Sequence, residues 1–135
     1  MMKRTYIDAN VIIAAFQGEE SVARRALQVL DDPNRELVVS DYLKLEVLPK
    51  PTFLKKREEV EFMKAIFDSA SEDVATSPRL TECALNMASK YDMTPIDALH
   101  IGAAIISGVD ELVTMEKATK PMCKVAEVKV VSLHS

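Results

Sequence analysis

The chain has 135 residues, with 17 Lys plus Arg against 21 Asp plus Glu, so its formal net charge is −4. That length suits one compact domain, residues 1–135, and 48% hydrophobic residues with 3 Gly and 6 Pro supply a packed core; disordered, collagen-like and disulfide-scaffold chains are excluded. Cys83 and Cys123 lie far apart, without a CxxC pair and with only two histidines in the chain, which leaves no zinc or disulfide framework and points to a reducing, cytoplasmic setting.

A first strand is expected at 5–7, ending at Asp8, and an apolar helix follows at 11–16. Asp8 and Asn10 break the run that a signal peptide would need, so this segment reads as folded sequence. Val22, Ala26, Leu27 and Leu30 form the stripe of a second helix. A strand at 37–39 leads into a short helix capped by Ser40 and carrying Glu46 on the same face as Tyr42 and Leu43. Thr52 is expected to cap a long helix with the stripe Phe53, Val60, Met63, Phe67 and Ala70, its Lys55-Lys56-Arg57 cluster forming a solvated face with pairs such as Lys55 with Glu59.

A weak strand at 73–75 precedes a helix opened by Ser77 and Pro78, with Leu80, Ala84, Met87 and Tyr91 on one face. Thr94 and Pro95 open the next helix, which is apolar nearly all round yet contains Asp97 and His100. At 96–109 its apolar run is shorter than the roughly 20 residues of a membrane span. Strands at 112–114 and 128–133 complete the chain, with Glu116 just after the first of them. Strands alternate with helices and are continuously apolar, which predicts an α/β fold: three layers, α/β/α, around a mainly parallel central sheet. Right-handed crossovers then send every strand's C-terminal end to one edge of the sheet.

Four acids are expected at that edge: Asp8, Glu46, Asp97 and Glu116. Each has a bland alternative. Asp8 can be a helix cap, Glu46 a salt-bridge partner of Lys44 or Lys50, Asp97 the third residue of a capping box opened by Thr94, and Glu116 a surface glutamate. Together they repel one another unless a cation neutralises them, and an all-oxygen set suits Mg²⁺ or Mn²⁺. Asn10 and Thr114 are polar groups at the same edge, whereas His100 reads as a satisfied core or rim residue.

The segments YIDANVII, SDYLKLEVL, TPIDALHIGAAI and DELVTMEK, in this order along nearly the whole chain, resemble a PIN domain of the VapC-like toxin type. The resemblance implies a small ribonuclease in which acids hold one or two Mg²⁺ or Mn²⁺ ions that activate water against RNA phosphodiesters. Asp8, Glu46 and Asp97 match the three main acids and Glu116 the fourth, with Asn10 and Thr114 in support. The fourth acid departs from the pattern: it is more usually aspartate followed by an aromatic, and here Lys117 follows Glu116. The implied partners are RNA, an antitoxin protein and a second copy of the chain as a homodimer, with no membrane. Because the net charge is negative, RNA must be gripped locally, and Lys3, Arg4, Arg24, Arg25 and Lys117 are the candidates by proximity in the chain.

Other readings have less support. An aspartyl-phosphate phosphohydrolase would use Asp8 as nucleophile but finds Asn10 where its general acid should be. A phospho-acceptor receiver domain lacks an aspartate after the third strand. The alternative that keeps the fold is an RNA- or protein-binding module of weak or no activity.

Overall fold

The computed structural model describes residues 2–134. Five strands, β1 (Lys3–Ile7), β2 (Arg35–Ser40), β3 (Glu72–Val74), β4 (Glu111–Thr114) and β5 (Val130–Ser132), form one sheet in the order β3-β2-β1-β4-β5. Every pairing is parallel. Helices α1 (Ala9–Gln17) and α2 (Glu20–Leu30) connect β1 to β2. Helices α3 (Asp41–Val47), α4 (Pro49–Phe53) and α5 (Arg57–Ser69) lead to β3, and α6 (Pro78–Tyr91) and α7 (Pro95–Ser107) lead to β4. A short 3₁₀ turn, Pro121–Lys124, precedes β5.

Successive strand side chains point to opposite faces, and both faces are covered, which is why the strands are apolar without alternation. Tyr6, Val38 and Leu112 pack under α6 and α7 with Leu80, Ile101 and Met122. Ile7, Val39 and Val113 pack on the other side with Ile12, Leu43 and Met63 from α1, α3 and α5. The expected three-layer α/β/α arrangement is therefore the observed one.

Local chemistry sets the helix starts. The side chains of Asp8, Ser40, Ser77 and Thr94 accept from backbone amides at the beginnings of α1, α3, α6 and α7. Helix α7 ends at Gly108 with φ 65°, a left-handed turn that glycine adopts without the strain of a Cβ. At Gly102 the reason for glycine is different: an added Cβ would sit 3.3 Å from both the Leu80 carbonyl oxygen and the Ala84 amide of α6. The two helices approach through that gap.

The long helix expected from Thr52 is in fact two. Pro49 occupies the first turn of α4, which places Thr52 inside that helix rather than at the cap of the next. The chain then breaks: Leu54 and Lys56 donate to the Lys50 and Pro51 carbonyls, Lys55 has φ 58°, and α5 starts at Arg57 without a side-chain cap. Phe53 consequently falls off the apolar stripe and is 83% exposed. Glu59 is buried and accepts from Gln17 Nε2 at 2.7 Å, so it is not the surface partner of Lys55. The last strand is also shorter than expected, because the backbone pairs with β4 only over Val130–Ser132.

Gly102→Val should lower the urea midpoint at unchanged m-value, by about 1–3 kcal/mol, because two backbone segments of α6 must yield to the new side chain. A variant as stable as the wild type would show that α6 and α7 do not pack through this contact.

Candidate active site

The parallel sheet delivers several polar groups to one end. Asp8 follows β1, extends its ladder by donating its amide to the Val113 carbonyl at 3.0 Å, and caps α1 by accepting from Ala9 N at 2.8 Å. Its second oxygen accepts from Thr114 Oγ1 at 2.8 Å, at the end of β4. Asp8 is 5% exposed. One oxygen thus serves the cap and the other the end of β4, since a carboxylate has acceptor capacity for both.

Glu46 projects from α3 and meets His100 of α7, with Oε1 and Nε2 2.7 Å apart. The same His100 nitrogen lies 3.9 Å from Asp8 Oδ1. One ligand atom each from Asp8, Glu46 and His100 falls within 4.8 Å of the others, a spacing that could hold a metal ion. Neither Lys44 nor Lys50 is the partner of Glu46; Lys44 pairs with Asp73 instead.

Asp97 sits in the first turn of α7, where Thr94 Oγ1 accepts from the Asp97 backbone amide at 3.4 Å. Glu116 is held by its backbone: its amide donates to Thr114 Oγ1 at 3.1 Å, and its carbonyl accepts from Ser132 Oγ. Its carboxylate accepts from Asn10 Nδ2 at 3.4 Å and lies 3.7 Å from Lys120 Nζ. Asn10 is fixed in turn by the Met115 amide, which donates to its Oδ1 at 2.9 Å. Asn10 and Thr114 thus support the cluster by tying α1 to the end of β4.

Asp97 and Glu116 stand outside the tight trio yet share its electrostatics. Burial raises the Asp8 carboxyl above the usual range and the charge of Asp97 adds to this, while His100, Thr114 and the Ala9 amide oppose it. The Asp97 carboxyl is also raised, first by burial and then by Glu116, against the pull of Thr94, His100 and Lys120. Four carboxylates at one edge are short of positive charge. Among the described residues, no lysine or arginine comes within 4.0 Å of the Asp8, Glu46 or Asp97 carboxylates.

A family model, that of the PIN domain, matches residues 5–127. The chain belongs to the PIN domain family. Among solved structures, a VapBC2 complex from Rickettsia felis bound to a DNA fragment from its promoter matches with TM-score 0.71 and 13% identity, covering 96% of this chain and 98% of that one. A toxin-antitoxin complex from Klebsiella pneumoniae matches with TM-score 0.71 and 22% identity, covering 95% and 96%. The sarcin-ricin loop cleaving toxin VapC20 from Mycobacterium tuberculosis matches with TM-score 0.64 and 13% identity, covering 92% and 98%. At these identities the likeness is one of fold. No curated protein matches the chain in sequence.

Two placements differ from the sequence reading. Lys3 and Arg4 lie at the opposite edge of this PIN domain's sheet, because they begin β1: Lys3 pairs with Glu111 and Arg4 with Glu72. Chain proximity to Asp8 misled because a five-residue strand separates its two ends by roughly 15 Å. His100 is buried and satisfied, as read, but it is also a member of the trio. The available signal was its spacing of three from Asp97, which puts both on one face of α7. Lys120, near Glu116, was not singled out, and its distance of four from Glu116 was the clue.

The raised carboxyls of Asp8 and Asp97 contribute stability at low pH that is lost as pH rises. Where folded-state values exceed the unfolded ones, the native state holds the extra protons in the interval between them, so the contribution of Asp8 and Asp97 is complete below the ordinary Asp value and is lost on the way up. Asp97→Asn should therefore melt roughly 2–4 °C higher than the wild type at neutral pH in chelator, a size that allows for solvent screening of a partly buried group. The Thr94 cap survives because it uses the backbone amide. Paired melting curves should show the gain vanishing at acidic pH, where both forms are neutral at this position.

Proposed function

We propose that this PIN domain is a metal-dependent endoribonuclease of the VapC toxin type, hydrolysing RNA phosphodiesters at the Asp8, Glu46, Asp97 and Glu116 cluster. The observation that supports it most is the shortage of counter-charge: Asp8 and Asp97 are held with raised carboxyl pKa values beside other acids, and among the described residues no lysine or arginine comes within 4.0 Å of the Asp8, Glu46 or Asp97 carboxylates. The donor set fits Mg²⁺ or Mn²⁺, hard cations that take carboxylate oxygens and keep waters. Such an ion, when bound, makes water acidic enough to attack at neutral pH and offsets charge developing on the phosphate. Asp8, Glu46 and Asp97 would hold it, and Glu116 would reach it directly or through water.

The chain's own contribution is orientation. Thr114 and the Ala9 amide fix both oxygens of Asp8, and His100 fixes Glu46. Of the expected RNA-gripping residues, Arg25 lines a hollow of about 370 Å³ together with Asn10, Met115 and His134. Lys117 and Lys120 follow Glu116 in the same loop. Both would counter a phosphate backbone locally, as a net charge of −4 requires.

An antitoxin protein is the proposed partner, in a cytoplasmic setting. It is supported by fold likeness to the toxin chains of VapBC and toxin-antitoxin complexes, and by Leu45 and Phe53, large apolar side chains left in solvent on α3 and α4. A homodimer is proposed on the same family ground. No helix of the described residues is long and apolar enough to cross a membrane. One observation favours a second reading, a binding module of weak activity: Glu116 is already engaged by Asn10 and Lys120.

Cleavage of single-stranded RNA should appear with Mn²⁺ or Mg²⁺ and disappear with chelator. Asp8→Asn should reduce it on the order of 100-fold or more, since a direct ligand counts for more than the 10–100-fold of an outer partner. Mn²⁺ that raises the melting temperature without any cleavage would favour the binding module.

A further inference from the structure

Five atoms under the cluster form a chain of contacts. Ser40 Oγ lies 2.7 Å from Tyr6 Oη, Tyr6 Oη lies 2.7 Å from His100 Nδ1, and His100 Nε2 lies 2.7 Å from Glu46 Oε1. Ser40, Tyr6 and His100 are all buried. We propose that Ser40 and Tyr6 are positioning residues that hold the His100 ring so that its Nε2–H donates to Glu46, and that His100 orients this glutamate and is not itself a metal ligand.

Counting hydrogens along the contacts fixes the donors. Ser40 Oγ already accepts from the Leu43 amide at 3.2 Å, so its own hydrogen must be donated elsewhere. If Ser40 donates to Tyr6, Tyr6 to Nδ1, and Nε2–H to the Glu46 carboxylate, every hydrogen has one acceptor and every contact has one hydrogen. With a hydrogen on Nδ1 alone, the Nε2 lone pair would face the Glu46 carboxylate oxygen at 2.7 Å, a contact without a hydrogen. Burial keeps the Tyr6 phenol far above its ordinary pKa, so it always has a proton to give.

Two consequences follow for the site. A metal ligand needs a free lone pair, and Nε2 is the ring nitrogen that faces Asp8 and Glu46. With its proton in place, the trio reduces to oxygen donors, which suits Mg²⁺ and Mn²⁺ and withholds the imidazole that Zn²⁺ favours. The glutamate is also aimed before any ion arrives, an outer hydrogen bond of the kind that orients metal ligands.

The metal consequence rests on the proposed nuclease reading; the proton position does not. A long-range ¹H–¹⁵N spectrum of the metal-free wild type at neutral pH reads that position directly. The chain has two histidines, so His134→Gln assigns the signals. We expect a protonated Nε2 that keeps its proton under saturating Mg²⁺. Tyr6→Phe, which keeps the ring and removes the donor, should blur this preference and weaken Mn²⁺ binding, measured by calorimetry, about 10-fold. His100→Gln, which retains a donor near the Nε2 position, should hold most of the Mn²⁺ affinity that His100→Leu loses. An unprotonated Nε2, a proton displaced from Nε2 by Mg²⁺, or equal losses in the Gln and Leu variants would overturn the inference. RNA left uncleaved while these results hold would overturn the nuclease reading and leave the relay standing.

Discussion

Asp8 is the constraint around which the rest is arranged. It ends β1, starts α1, accepts from the end of β4 through Thr114, and faces His100 of α7. A carboxylate in that position is expensive to bury, and its raised pKa records the cost. The cap and the threonine hydroxyl offset part of it by supplying directed donors. What they do not supply is a net positive charge.

The two ends of the sheet make the comparison internal. At the N-terminal edge, Glu111 is as buried as Asp8, but it receives Thr5 Oγ1 at 2.7 Å, the Arg35 guanidinium at 2.9 Å and Lys3 at 3.8 Å. Arg4 meets Glu72 nearby, and Asp110 accepts from the Arg4 amide. That edge is electrostatically closed. At the C-terminal edge the nearest groups to Asp8, Glu46 and Asp97 are hydroxyls, amides and one histidine. The same fold therefore has a structural acid at one end, where cations come from the chain, and at the other three acids that no lysine or arginine of the described residues meets within 4.0 Å.

Rigidity on both sides of the sheet gives that arrangement its precision. Tyr6 and Ile7 are adjacent in sequence and enter opposite cores, so Asp8 is anchored by two packed layers at once. Gly102 lets α7 lie close on α6, which sets the depth at which Asp97 and His100 meet the sheet. Glu46 comes from a short helix held by the Ser40 cap and by Leu43 and Val47 in the core. It is the most exposed of the trio, and its hydrogen bond to His100 compensates for the looser support.

The sequence by itself determined the fold class, because apolar strands that alternate with capped helices have few other ways to bury their surface. It also determined the edge at which Asp8, Glu46, Asp97 and Glu116 appear, since a parallel sheet with right-handed crossovers leaves no choice about where strand ends go. It was misleading where two local signals competed: Thr52 resembles a cap, yet Pro49 starts the helix three residues earlier, and Lys55 turns left-handed to end it. It was silent wherever partners meet across the fold. Whether Glu46 pairs with a lysine or a histidine, and how Ser40, Tyr6 and His100 line up beneath the carboxylates, are matters of distance between residues 34 to 106 positions apart. Composition and periodicity describe how each segment buries itself; only the packed structure decides which buried polar atoms find one another.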